Sequence, residues 1–283
     1  MSEVFDPTRC ALGEGPMWHP LREQLFWFDI QKGQLLTREG GKTRISQFDE
    51  HVSAAGWVSE TELLVASETR LFLWDIERER AEDVEALEAD NPLTRSNDGR
   101  ADPWGGFWIG TMAKDEPGEG GAIWRYYGGR LTKLYDGIVI PNAICFSPDR
   151  RLAYYADTPT LRIMKQPLDP ANGFPEGEPE VFVDLAADDL KPDGAVVDMD
   201  GNLWNAQWDA GRVAVYAPDG SFVDEVRFPA PRTTCPAFGG PGLTTLFCTT
   251  DSRSMPGDDG IAHGATFAVP EAGRGQAEHR VKL

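Results

Sequence analysis

The chain has little positive charge. Its 283 residues include 27 Lys and Arg against 46 Asp and Glu, a formal net charge of -19. That balance argues against non-specific binding to nucleic acid or to an anionic membrane surface, which need a basic footprint. A cation would be attracted to such a protein and an anionic product repelled. Cysteine is also sparse. Cys10, Cys145, Cys235 and Cys248 show no C-x-x-C spacing, so the common zinc and thioredoxin motifs are absent. Cys145 and Cys248 sit in apolar, strand-like runs and read as small buried hydrophobes. No stretch approaches the ~20 apolar residues of a membrane helix. The opening residues Met1–Asp6 carry neither the basic start nor the apolar run of a secretory signal. These absences lead us to expect a reducing, cytoplasmic location. There is no Gly-x-Ser-x-Gly elbow, which removes the α/β serine hydrolases. His19, His51, His263 and His279 have no constellation around them.

Amphipathic helices are scarce as well. The best helical candidate, Glu77–Glu88, is mostly charged, and its few apolar residues form no broad stripe. It reads better as a solvated loop or strand edge. What remains is a series of short apolar runs of strand length, separated by Gly, Pro, Asn and Asp clusters.

These runs repeat. Six stretches share one loose pattern of small or polar residues, a short strand, a turn and a second apolar or aromatic strand. They are Gly15–Asp29, Ala55–Ser67, Asn97–Gly110, Asn142–Asp157, Asp193–Gln207 and Pro236–Thr250. Several are followed by a third strand, such as Leu71–Trp74, Ala122–Tyr126 and Val213–Tyr216, and one by a fourth, Ser221–Phe228. A repeat of roughly 40 to 50 residues is the period of a four-stranded propeller blade. The sequence therefore predicts an all-β fold, a six-bladed β-propeller of four-stranded antiparallel blades around a central channel, with residues 1–283 in one domain. A strand near Glu3-Val4-Phe5 is expected to close the last blade with C-terminal strands, because an open edge would otherwise be exposed. A β-sandwich is the rival reading. A WD-repeat scaffold is another, but Trp74-Asp75 occurs once and lacks a Gly-His partner.

In a propeller the first strand of each blade lines the channel, so the residues that open these strands converge at one end. Here they are polar: Glu14, Asn97, Asp98, Asn142 and Asp193. Each alone also suits a turn, as in Pro192-Asp193-Gly194. Glu14 is harder to place in that way, since no local partner for its charge is visible. Together, oxygen ligands from several blades could meet one divalent cation. Carboxylates with an amide carbonyl suit a hard or borderline ion such as Ca²⁺, Mg²⁺ or Mn²⁺. Zn²⁺ more often recruits histidine, and none lies at these positions. Asp198–Asn202 mimics the start of a calcium loop but lacks the terminal acid, and reads as a hairpin turn.

With these segments in order, the chain resembles the regucalcin/gluconolactonase (senescence-marker-protein) family of six-bladed propellers. The resemblance is carried by Leu12–Trp18, Ser96–Arg100, Gly106–Met112, Pro141-Asn142 with Phe146–Asp149 and Tyr154–Asp157, Pro192–Gly194 with Asp200–Trp204, Gly211–Val213 and Phe238–Pro241. Gly264–Val269 looks like the family's last strand. Thr234–Phe238 departs from the family pattern, since Pro236 interrupts the run; a slight shift of that channel strand is expected.

The resemblance implies one divalent metal cation held by Glu14, Asn142 and Asp193, with Ca, Mg, Mn, Zn or Fe left open. It implies Arg95 and Asn97 as substrate contacts, Met112 as a pocket wall, and an acid after the Gly-Thr-Met segment, Asp115 or Glu116, on a sugar hydroxyl. The activity it implies is hydrolysis of a sugar lactone to an aldonic acid, a carboxylic-ester hydrolase reaction. A cation polarises the lactone carbonyl and acidifies water, and Asp193 is the candidate catalytic residue that accepts or relays the proton. The rivals are phosphotriester or aryl-ester hydrolysis at the same metal, and a calcium-binding regulatory propeller without turnover. Which sugar lactone is used, pentono- or hexono-, is left open.

Overall fold

Every blade repeats one solution to one problem: an amphipathic strand pair cannot bury its faces alone, so six of them stack in a ring. The computed structural model describes residues 1–115, 118, 120–257 and 260–283. It contains six four-stranded sheets, and each strand pairs antiparallel with its neighbour. The innermost strands are Gly13–His19, Val52–Trp57, Thr94–Ala101, Pro141–Phe146, Lys191–Val197 and Thr233–Gly239. The fold is the expected six-bladed β-propeller. The last blade closes as predicted: Glu3–Asp6 pairs with Thr266–Val269. The first and last strands of the chain thus share one sheet, which closes the ring.

Burial falls from the axis outward. The inner strand of the sixth blade is buried at every position, whereas the outer strand Arg80–Ala86 is almost entirely exposed. That outer strand occupies the charged stretch read as a solvated edge. Apolar side chains pack between neighbouring blades. Met17, Phe26 and Phe28 of the first blade meet Val65, Phe72 and Trp74 of the second, and Trp204 and Val213 of the fifth meet Phe238 and Phe267 of the sixth. Each fully buried Leu or Phe of this kind contributes roughly 1.5–3 kcal/mol. With the stabilising burial placed between blades, the channel wall is free to be polar. The four cysteines are free and buried, as small hydrophobes would be.

One device recurs in all six inner strands. The register with the second strand shifts just after the strand begins: between Glu14 and Met17, Val52 and Ala54, Ser96 and Gly99, Asn142 and Cys145, Pro192 and Ala195, and Thr233 and Pro236. A bulge bends a strand and re-aims its side chains. The shift expected from Pro236 is therefore no peculiarity of that proline, which sits at the bulge common to every blade, where a missing N–H is tolerated.

The two ends of the channel differ. At the far end the C-terminal tail runs across the blades without forming a strand. Gly275 N donates to Leu243 O (2.9 Å), Val281 N to Trp57 O (2.9 Å) and Lys282 N to Gly105 O (2.9 Å). Gln276 Nε2 donates to Val197 O (2.9 Å). The near end opens into a cavity. No helix among the described residues is long and apolar enough to cross a membrane.

Candidate active site

A cavity of about 430 Å³ lies at the near end, and Glu14, Arg95, Asn97, Met112, Asn142 and Asp193 all line it. The structure thus brings together residues from the first, third, fourth and fifth blades that the sequence reading grouped. Asp115 is not among the lining residues and is exposed in the loop after Phe107–Ala113. Glu116, its alternative, lies outside the described residues.

Local backbone explains how each side chain faces the cavity. Glu14 precedes Gly15, whose φ is +52° and whose hydrogen stands where a Cβ would come within 2.2 Å of Ser53 O. Only glycine fits there. In the fourth blade the equivalent position, after Asn142, is Ala143, also left-handed at φ 58°. A non-glycine residue held so costs about 1–3 kcal/mol and persists only where its surroundings impose it. In the fifth blade Asp193 precedes Gly194, where a Cβ would lie 2.3 Å from Cys235 Sγ.

Hydrogen bonds then orient the amides. Thr158 Oγ1 donates to Pro192 O (2.7 Å), so it must accept from Asn142 Nδ2 (2.9 Å). Asn142 Oδ1 is left facing Asn97, which donates to it from Nδ2 at 3.1 Å and to Pro141 O at 3.0 Å. Asn97 Oδ1 in turn accepts from Arg95 Nη1 (2.9 Å), and arginine can only donate. The chain Arg95–Asn97–Asn142–Thr158 is thereby fixed in one sense. Thr158 was invisible in the sequence, because it follows an outward strand and reads as an ordinary loop hydroxyl.

The carboxylates are less well provided for. Glu14 and Asp193 are both buried. Glu14 Oε2 accepts the Gly15 N–H (3.0 Å) and Asp193 Oδ1 the Gly194 N–H (3.0 Å). Burial, then repulsion from Asp98, pushes Glu14 up to about 8. Burial, then repulsion from Glu14 and Asp98, holds Asp193 well above the usual carboxylate range. Two buried acids that repel each other in front of an oriented amide oxygen form an all-oxygen donor set. That set fits a divalent cation, which would relieve the repulsion. Among the described residues no group of three His, Cys, Asp or Glu side chains is gathered to hold a metal; the expected set has two carboxylates and one amide.

The outer wall holds residues that sequence reasoning missed. Lys191 lies with its ammonium 4.9 Å from the Trp208 ring centroid, and Arg253 is bound to Asp251 (Nη2–Oδ2 2.8 Å); Lys191, Trp208 and Arg253 all line the cavity. The Asp198 turn is as expected: its Oδ1 accepts from Asp200 N (2.9 Å) and Asn202 N (2.8 Å).

Residues 12–252 match the family model for the SMP-30/gluconolactonase/LRE-like region. The chain belongs to that family. Among curated relatives, a Rhizobium meliloti protein provisionally named a sugar lactone lactonase is 40% identical over 273 residues, 96% of this chain and 90% of that one. The 6-deoxy-6-sulfogluconolactonase of Pseudomonas putida is 34% identical over 92% of this chain and 91% of its own length. Among solved structures, a calcium-binding protein, regucalcin, from Agrobacterium tumefaciens superposes with a TM-score of 0.95 at 37% identity, covering 100% of this chain and 98% of the other.

Proposed function

We propose that this protein is a divalent-metal-dependent hydrolase that opens an aldonolactone to its aldonic acid. The observation that carries the reading is the pair of buried, mutually repelling carboxylates, Glu14 and Asp193, beside an oriented amide oxygen on the floor of an open cavity. Family membership and the lactonase names of the relatives support the substrate class. In this reading Glu14, Asn142 and Asp193 hold the cation. The cation, when bound, polarises the lactone carbonyl and acidifies a neighbouring water.

The remaining work falls to side chains. Asp193 accepts or relays the proton of the attacking water. A cation lowers the basicity of a carboxylate bound to it, so Asp193 serves better as a relay than as a strong base. Arg95, locked to Asn97, presents directed donors to the ring oxygens, and Asn97, whose two N–H groups are taken by Pro141 O and Asn142 Oδ1, offers its Oδ1 to a ring hydroxyl. Met112 closes the wall on that side.

The test is to strip the protein with a chelator, restore Ca²⁺, Mg²⁺, Mn²⁺, Zn²⁺ and Fe²⁺ singly, and measure rates on pentono- and hexonolactones. We expect hydrolysis that is lost on chelation and returns with at least one ion. Failure of every restored form on every lactone would sink the reading. The calcium-binding name of the Agrobacterium structure favours one alternative, a regulatory propeller; calcium binding without turnover would support it. Faster turnover of an aryl ester or a phosphotriester than of any lactone would move the substrate class.

A further inference from the structure

We propose that Asp98 is a positioning residue: its carboxylate clamps the bulge of the fourth blade and so presents Asn142 to the cavity. Asp98 is absent from the cavity lining, yet it is buried. It belongs to the third blade and reaches across to the fourth, where its Oδ2 accepts the Ile144 N–H at 2.7 Å.

The place of that contact is what assigns the role. Between Asn142 and Cys145 the strand leaves register with Leu152–Asp157, so Ala143 and Ile144 have no partner residues in that ladder. Ala143 is left-handed there, and it is fully buried. A buried backbone N–H needs an acceptor, and Asp98 supplies one to Ile144. Its neighbour Asn97 holds the other side of the same bulge, through Pro141 O at 3.0 Å and Asn142 Oδ1 at 3.1 Å. Adjacent residues of one blade thus grip the backbone before and after Asn142. The αL turn between these grips determines where the amide oxygen of Asn142 points.

This inference rests on the reading of Asn142 as a cation ligand, and it competes with a simpler role for Asp98. As a third acid near Glu14 and Asp193, it could act by charge alone, drawing a cation toward the channel. The two roles separate in one pair of variants. Asp98→Ala removes both charge and acceptor. Asp98→Asn removes the charge but keeps a carbonyl oxygen for Ile144.

Two measurements are made on wild type and both variants: affinity for Ca²⁺, Mg²⁺, Mn²⁺ and Zn²⁺ by calorimetric titration of chelator-treated protein, and amide exchange at Ile144 by NMR. We expect Asp98→Ala to weaken the affinity of whichever ion binds wild type by about 10-fold or more, the usual loss for an outer-shell partner of a metal ligand. We expect Asp98→Asn to recover most of it. Exchange at Ile144 should accelerate in Asp98→Ala and stay slow in Asp98→Asn. Equal losses of affinity in the two variants would overturn the clamp in favour of charge. Unchanged Ile144 exchange in Asp98→Ala would overturn it even if no ion bound wild type, a result that would separately remove the metal reading.

Discussion

The two ends of the channel treat buried charge in opposite ways. At the far end two arginines each have a carboxylate partner. Arg100 Nη1 meets Glu278 of the C-terminal tail. Nearby, Arg125 Nε meets Asp102 Oδ2 at 2.7 Å, with both side chains fully buried, and the guanidinium packs 4.3 Å from the Tyr127 ring centroid. At the near end the charged neighbours that act most on Asp193 are the acids Glu14 and Asp98, and on Glu14 the repulsion of Asp98 outweighs the attraction of Arg95. Burying a charge costs several kcal/mol unless it is paired. The far end is therefore explained by folding alone, and the near end is not. Strongly raised carboxylates lining a cleft mark a candidate functional site.

The largest effect that could break this comparison is at Asp193. Asp193→Ala should lower lactone turnover by about 10²–10⁴-fold, the usual contribution of a general acid or base, with a further loss where the cation is also released. Thermal stability without added cation should hold or rise, since one of two repelling buried acids has gone. Retained turnover would remove Asp193 from the mechanism; a large fall in stability would mean that the near end is structural after all. The next largest effect lies at the opposite end. Glu278→Ala leaves the largely covered Arg100 without this partner and should cost up to the roughly 3–5 kcal/mol of a fully buried pair in urea unfolding. Turnover per folded molecule should stay near that of wild type. A loss of activity without a loss of stability would put the far end in the site as well.

The near end was more legible in sequence than the far end, for a physical reason. Channel strands begin at fixed places in a repeat, so Glu14, Asn97, Asn142 and Asp193 could be aligned without knowing the fold in detail. Strand pairs with aromatic second strands, such as Gln24–Asp29, carry the same signal. Outer strands do not. Lys42–Gln47 is mostly exposed or half-exposed along its length and gives no clean alternation. The tail across the far mouth is held largely through backbone groups, which leave no pattern in side-chain type. Lys191 and Trp208 pair across the fifth blade, and Arg253 joins them at the cavity only because the sixth blade stands beside it. Asp98 was the closest miss: Asp-Gly looks like a turn, and nothing in the sequence marks Ile144 as an N–H in need of an acceptor.

The smallest effect is a pH dependence, and it sharpens the comparison because the two ends should contribute it with opposite sign. Glu14 is raised from 4.5 to about 8 in the folded chain, and Asp193 is raised as well, first by burial. Between those values the folded state holds protons that the unfolded chain has released. Stability rises with pH only where the unfolded state binds more protons, so here it falls as pH rises from about 4.5 toward 8. Cation-free protein should therefore melt at a higher temperature near pH 5 than near pH 8. A bound cation takes over the role of those protons and lowers the carboxylate pKa values. Saturating the protein with the ion that restores turnover should flatten or reverse the trend. At the far end burial lowers His279, so its term rises with pH below the ordinary histidine value and opposes that of the near end. Glu14→Gln should reduce the slope and leave the part due to Asp193 and Asp98, which burial raises first, whereas Glu278→Gln should lower the melting temperature at both pH values by a similar amount. A slope unchanged by Glu14→Gln and by cation alike would mean that these acids do not produce it.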